Sequence, residues 1–314
     1  MIRPQSPQEL AAALSEAAGR NHRITLGGAF SKNRMAGPIL DSDVTVSTAA
    51  MTRVLHYEPR DLTISVEAGM RWADLTRLLA ENRQMIPLDP PFAAEATAGG
   101  VVAANTSGPR RRLHGTARDL VIGMTFATLE GKLVQSGGMV VKNVAGLDMS
   151  KLLIGSFGTL GAIAVVNFKL LPIPPVERLF TLRFDSLAEA IAARDRILGS
   201  VLQPASLDLV NPAAAARLGL AGFALLLHAG GNAAVIDRYA RELGATPEPP
   251  RLADLQEFTP RFLAQNTRGA VVRVSSTLSQ VGEVVASTDA PVLSRAGNGV
   301  SYLYFDDVAA AAES

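Results

Sequence analysis

The sequence predicts an α+β protein of two domains that divide near residue 175. Three observations predict it. In the first half, short strands alternate with capped helices and with dense glycine loops. Pro172, Pro174 and Pro175 then make a stiff break in the chain. Beyond the break, strands alternate with helices on a smaller scale, as in a small α+β layer with helices on one face. The chain of 314 residues is long enough for two domains, 1–175 and 176–314, each with its own core.

The elements follow from local signals. Ser6-Pro7-Gln8-Glu9 is a helix start: Ser6 caps, Pro7 suits the first turn and Glu9 completes a capping box. Leu10, Ala13, Leu14 and Ala17 make its buried face, and Gly19 ends it. His22 to Leu26 and Val44 to Ser47 read as short strands. Asp61 to Ala68 alternates apolar and polar residues, which predicts a half-buried strand. Trp72, Leu75, Leu78 and Leu79 stand at helical spacing, with Trp72 in the core. Met85 to Leu88 is extended. Thr97 to Asn105 is a glycine-marked helix, broken by Thr106-Ser107-Gly108-Pro109. Val121 to Leu129 and Leu133 to Ser136 form a hairpin around Glu130-Gly131. Asp148 to Leu153 reads as a short helix and Gly161 to Leu171 as a strand. In the second half, strands are expected at 176–184, 206–210, 222–228, 271–275, 292–295 and 300–305. Helices are expected from the Ser186-Leu187-Ala188-Glu189 capping box to Leu198, and over Asn232 to Leu243.

Composition narrows the function. Lys and Arg number 30 against 29 Asp and Glu, a balance that argues against a dedicated nucleic-acid binder. The basic run Arg110-Arg111-Arg112 is either a solvated loop or a phosphate contact. With no cysteine, the chain holds no disulfide, no cysteine-ligated iron–sulfur cluster and no cysteinyl cofactor bond. His22, His56, His114 and His228 are too far apart for a metal-ligand spacing, so no metal is expected. The polar N-terminus shows no signal-peptide pattern, so none is expected, and no apolar run approaches the roughly 20 residues of a membrane helix. The expected location is cytoplasmic, or peripheral to a membrane through partner subunits.

The glycine loops carry the chemistry. Leu26 runs into Gly27-Gly28-Ala29-Phe30-Ser31-Lys32, where small residues leave a row of amides able to cradle a diphosphate. Taken alone, this loop is also compatible with an ordinary tight turn. Amides at the start of the Thr97 helix offer a second such place. The stretch from Ser136 to Ile163 is denser still, and Lys142 and Asp148 are the charged members of its segment from Gly137 to Asp148. Its glycines do not follow the Gly-x-Gly-x-x-Gly pattern of a dinucleotide fold.

Several motifs occur in order: Leu26-Gly27-Gly28-Ala29-Phe30-Ser31, Asp89-Pro90-Pro91, Thr97-Ala98-Gly99-Gly100, Asn105-Thr106-Ser107-Gly108, Gly115, Asp119 to Gly123, Lys142 to Asp148, and Gly155-Ser156-Phe157-Gly158-Thr159-Leu160-Gly161. Together they resemble the FAD-binding domain of the vanillyl-alcohol oxidase (PCMH) type. Within that superfamily the chain is most similar to the FAD-binding subunits of glycolate oxidase. The resemblance covers most of residues 1–175. It implies a PCMH-type domain of two α/β subdomains, followed by a smaller α+β, ferredoxin-like cap domain.

The resemblance also implies roles. Gly27, Gly28, Ala29, Phe30 and Ser31, with Lys32, would hold the pyrophosphate of FAD. Thr97, Gly99 and Gly100 would hold the pyrophosphate and ribityl region. Ser107, Gly108 and Gly115 would line the approach to the flavin ring, with Pro90, Asn105 and Lys142 in the same motif set. Gly158, Gly161 and Ile163 would border the adenine, while Asp148 and Lys151 would fix their loop. Relatives that bind flavin covalently carry His at the place of Phe30, and some add a Cys, so FAD is expected to be noncovalent. Catalytic members carry a His-x-Gly-x-Gly-Asn motif where this chain has Arg295-Ala296-Gly297-Asn298-Gly299-Val300. No catalytic base is therefore named; His114, Arg273 and Arg295 are the candidates to test, the arginines as forks for a carboxylate.

Two functions follow. In one, the chain is the FAD-binding subunit of a heteromeric oxidase of glycolate or another small 2-hydroxy acid. Its partners would be a second, catalytic FAD-binding subunit and an iron–sulfur subunit. In the other, it binds FAD as an accessory or electron-relay subunit and oxidises nothing itself. A stand-alone reductase of the enolpyruvyl type shares the FAD domain but gives the Lys142 to Asp148 segment no role.

Overall fold

The structure is a computed structural model that describes residues 1–35, 37, 41–139, 148–248 and 250–312. The chain separates into two compact units. One comprises 1–107 with 115–173, the other 108–114 with 174–314. Segment 108–114, which the sequence groups with the first half, thus belongs with the second unit.

In the first unit, helix α1 (Pro7–Gly19) starts as its capping signal predicts. The Ser6 hydroxyl accepts the Glu9 N–H, while the Glu9 carboxylate takes the N–H of Gln5 rather than that of the cap. Strands β1 (Ile24–Gly27) and β2 (Val44–Ser47) pair in parallel, with Ile24 opposite Val44. Leu10 and Leu14 of α1 pack with Val46, Met51 and Ala164 to make a small core.

The larger sheet of this unit uses β3 (Val54–Glu58), β4 (Thr63–Glu67), β6 (Val121–Ala127), β7 (Leu133–Gly137) and β8 (Ala162–Lys169) in the order β3-β4-β8-β6-β7. All of its ladders are antiparallel. The short β5 (Gln84–Met85) pairs separately with β9 (Leu171–Pro172). Helices α2 (Trp72–Glu81) and α3 (Ala98–Ala104) bury Trp72, Leu75, Leu79, Val101 and Val102 against Ile64, Val66 and Phe168 of the sheet. Trp72 meets Phe168 edge-on, with ring centroids 6.0 Å apart. Trp72 is thus a core residue, as its helical spacing predicts. Strand β4 is buried on both sides rather than one. The cause is visible at Glu67, fully buried, whose carboxylate accepts the Arg53 guanidinium at 2.7 Å and the Arg53 amide at 2.8 Å.

The second unit contains the short helix α4 (Arg111–His114), whereas α5 (Ala117–Leu120) and α6 (Met149–Leu153) lie in the first. Its strands are β10 (Val176–Phe184), β11 (Ser206–Val210), β12 (Phe223–Gly231), β13 (Ala270–Ser275), β14 (Val292–Arg295) and β15 (Val300–Phe305). They form one antiparallel sheet in the order β10-β12-β11-β14-β15-β13. Helix α7 (Leu187–Leu198) links β10 to β11, and α8 (Pro212–Arg217) links β11 to β12. After α9 (Ala233–Leu243), α10 (Leu252–Gln256) and α11 (Phe258–Gln265), α12 (Val281–Ala286) links β13 to β14; α13 (Val308–Ala312) follows β15. In each half of the sheet the third strand inserts between the first two; the first half has a helix in both connections, the second only between its first two strands. The halves join through β11 and β14, with Leu209 opposite Ser294. The sheet is therefore larger than a four-stranded ferredoxin-like layer.

Helices cover both faces of this sheet, not one. On one side α7, α9 and α12 pack on Leu207, Leu209, Leu225 and Leu227. On the other α8, α10 and α11 pack on Val210, Leu226, Leu293 and Tyr304. The reason lies in the central strands: Ala224 to Leu227 is an unbroken apolar run, which needs cover on both sides.

The arginines of 110–112 are built into this unit. Arg112 donates to the Pro204 carbonyl at 2.6 Å and to Gln203 Oε1 at 3.2 Å, and Arg110 pairs with Glu177 at 3.5 Å. Arg110 and Arg112 are thus held by protein groups rather than lying in a solvated loop. Arg295 Nη1 lies 3.2 Å from Asp208 Oδ1, and the two residues are 8% and 0% exposed. Burial alone lowers the Arg295 pKa, but the Asp208 carboxylate, together with Tyr302 and Tyr304, more than offsets it and holds the guanidinium above its ordinary value. Replacing Arg295 by Met leaves Asp208 buried without its cation. Urea denaturation is expected to show a loss of about 3–5 kcal/mol, and the double variant Arg295→Met/Asp208→Asn should recover much of it.

Candidate functional site

The site is a cleft in the first unit, where β1 ends. Past Gly27 the chain turns through 28–32 and is pinned there from two sides. The Ser47 hydroxyl donates to the Gly28 carbonyl at 2.8 Å, and the bare Cα of Gly28 rests on the Thr97 side chain. A methyl group on Gly28 would run into Thr97 Oγ1. The Phe30 ring lies over Gly27, where an added Cβ would come within 2.5 Å of it.

Phe30 has φ 57°, a left-handed conformation uncommon for a bulky residue. Such a residue between ordinary ones turns successive N–H groups toward a common point, forming an anion-binding nest. The N–H groups of Ala29, Phe30 and Ser31 have no acceptor among the described residues. Lys32, 8% exposed, adds a cation to the lining. The loop 27–32 thus faces the cleft together with Thr97, Gly100, Ala103 and Phe157. An adjoining hollow shares Gly27, Gly28, Gly100 and Phe157 and extends to Gly99, Gly158, Gly161 and Ile163.

Helix α3 behaves differently from its sequence expectation. Its first amides are already used: Ala98 N–H donates to the Met70 carbonyl, Gly99 N–H to that of Ala68, both at 2.8 Å, and Gly100 N–H to Thr97 Oγ1 at 3.3 Å. The row of unclaimed amides is therefore at 29–31 and not at the start of α3. Gly99 lacks a side chain for packing reasons, since an added Cβ would sit 2.6 Å from that of Ala68. At its other end, α3 offers the carbonyls of Val102 and Ala103, which accept the N–H groups of Gly155 (3.2 Å) and Phe157 (2.9 Å). Those bonds carry the loop 155–158 to the cleft. Gly158, with φ 81°, closes over Leu26.

The structure brings Gly27 to Lys32, Thr97, Gly99, Gly100, Gly158, Gly161 and Ile163 together. Pro90 is buried away from this lining. Asn105 ends α3 with φ 46°, and its Oδ1 is buried with no hydrogen-bond partner among the described residues. Ser107 is half-buried, and Gly108 counts with the second unit. Gly115, with φ 79°, packs against Asp119, whose carboxylate accepts the Thr116 amide at 2.8 Å. Asp148 caps α6 through the Lys151 amide and pairs with the Lys151 ammonium at 3.1 Å. Lys142 lies in 140–147, outside the described residues. His114 and Arg273 belong to the second unit, half-buried on α4 and exposed on β13 respectively; Arg295 is engaged by Asp208. Sequence reasoning missed Phe157 and Ala103. The signal for Phe157 was a single large ring between Gly155 and Gly158.

Comparisons with known proteins point to FAD as the cofactor. Residues 1–137 match the FAD binding domain family. The chain is 34% identical over 186 residues to glycolate oxidase subunit GlcE of Escherichia coli (strain K12), covering 59% of this chain and 52% of that protein. It is 26% identical over 213 residues to glycolate oxidase subunit GlcD of Bacillus subtilis (strain 168), covering 67% and 45%. The chain thus spans about half the length of the curated relatives it matches. Its fold is that of alkyldihydroxyacetonephosphate synthase in P212121 crystals, with TM-score 0.75 and 18% identity over 99% of this chain and 68% of that one. The loop of unclaimed amides and its supporting helix both lie within residues 1–137, the stretch that matches the FAD binding domain, and FAD is the cofactor.

Proposed function

We propose that this chain is the FAD-binding subunit of a heteromeric oxidase of glycolate or a related 2-hydroxy acid. The observation that carries the reading is the cradle at 27–32: three unclaimed amides, a buried lysine beside them, and glycines that a Cβ would close. Bound FAD would supply the two-electron acceptor for the hydride leaving the α-carbon of the acid. The chain's own part is to hold and orient. The amides of Ala29, Phe30 and Ser31 hold the diphosphate, and Lys32 balances its charge. The orphaned Asn105 Oδ1, at the end of the helix that walls the cleft, is a further acceptor for the cofactor. Phe30 offers no nucleophile for a covalent flavin bond, so the cofactor is held noncovalently. With no cysteine in the chain, an iron–sulfur relay belongs to a partner subunit.

One observation favours the accessory reading for this polypeptide by itself. The guanidinium of Arg295, a candidate fork for the substrate carboxylate, is committed to Asp208 inside the second unit. In that reading the chain binds FAD, and a partner subunit oxidises the acid.

A visible spectrum of the purified chain tests FAD binding, and anaerobic addition of glycolate or D-lactate tests turnover. Flavin bands that bleach support the first reading. Flavin bands that persist until partner subunits are added support the accessory one. A colourless protein that ignores added FAD overturns both. Gly28→Ala drives a methyl group into Thr97, a misfit worth about 1–3 kcal/mol. FAD titration followed by flavin fluorescence should show roughly tenfold weaker binding. Gly19→Ala, with open space around its Cα, should bind as the wild type does.

A further inference from the structure

We infer that Phe157 is the platform on which the adenine of FAD stacks; this rests on the FAD-binding reading above. Phe157 lies within the glycine motif at 155–161, which gives it no role, yet its backbone is held in an uncommon conformation. Its φ is 52°, and a bulky residue persists there only when its surroundings impose it. What imposes it is visible: its N–H is fixed to the Ala103 carbonyl at 2.9 Å, and Gly155 and Gly158 on either side have φ 87° and 81°.

The strain does not serve to bury the ring. Phe157 is 38% exposed and lines both the cradle and the adjoining hollow. Among the described residues that hollow contains no charged side chain; Leu26, Ala103 and Ile163 and bare glycine backbone make its walls. Such a surface suits a flat, uncharged heteroaromatic ring held by its faces. The anionic diphosphate belongs at the amides of 29–31. The two hollows share Gly27, Gly28 and Gly100, so the ring and the diphosphate would lie side by side, as the AMP half of FAD requires. The isoalloxazine, with hydrogen-bonding carbonyls on its pyrimidine edge, finds among the described residues of the second hollow a single side-chain hydroxyl, that of Thr48.

The test compares FAD, ADP and FMN binding to the full chain by calorimetry, with wild type, Phe157→Asn and Phe157→Tyr. Asparagine tolerates the left-handed backbone, so Phe157→Asn should melt no lower than wild type. It should nonetheless bind FAD and ADP roughly 5- to 150-fold more weakly, the range of one lost base–aromatic stack. FMN binding should not change, and Phe157→Tyr should bind all three ligands as wild type does. Unchanged ADP affinity in Phe157→Asn overturns the inference. So does an FMN loss as large as the FAD loss, which would put the isoalloxazine on this ring. A wild type that takes up no FAD overturns the cofactor reading itself, a separate result.

Discussion

The cleft depends on how a seven-residue helix is tied at both ends by backbone hydrogen bonds. The first amides of Ala98–Ala104 donate to Met70 and Ala68, and its last carbonyls accept from Gly155 and Phe157. The first pair locks the helix to the turn after β4. The second pair brings a distant loop alongside it. Gly99 makes the first lock possible, because any side chain there would meet Ala68. With the helix fixed, Thr97 becomes a rigid floor, and Gly28 has to be glycine to lie on it. The free amides at 29–31 follow from that chain of contacts. A loop held by Ser47 on one side and Thr97 on the other cannot fold back to satisfy its own N–H groups.

The economy of polar groups separates ligand surface from structure. Buried N–H groups in a folded protein nearly always find acceptors. At the start of α3 they have found them within the protein, which removes that helix end as an anion site. The N–H groups at 29–31 are open to the cleft and have no acceptor among the described residues, and Lys32 stands beside them. The same accounting reverses the meaning of the arginines in the second unit. A guanidinium free to bind substrate would face solvent or a cavity. Arg295 instead neutralises a carboxylate inside a sheet face, and Arg112 is spent on the Pro204 carbonyl. Their contribution is to the stability and shape of the second unit.

Much of the first unit was legible because its signals are local. The Ser6 cap, the hairpin around Glu130-Gly131 and the glycine pairs at 27–28 and 99–100 each act within a few residues of themselves. The second unit was less legible. Asn211-Pro212 is a helix start in local terms, and α8 forms there, with the Asn211 carboxamide accepting the Ala214 amide at 3.0 Å. It sits between two strands, and that context hid it. Helices α10 and α11 are short, five and eight residues, and their place is decided by Leu255, Phe258 and Phe262 packing in the cluster around Tyr304.

By itself the sequence determined where backbone would be bare of side chains, and hence which loops could approach a diphosphate. It also determined, through the absence of cysteine and the phenylalanine at position 30, that neither a cysteine nor that position offers a covalent link to a flavin. The tertiary structure alone decided which amides remain unclaimed, which arginines are neutralised and which aromatic ring faces the cleft. The physical reason is that a glycine's freedom is a property of its own backbone. Whether a donor or a charge is available depends on partners dozens of residues away.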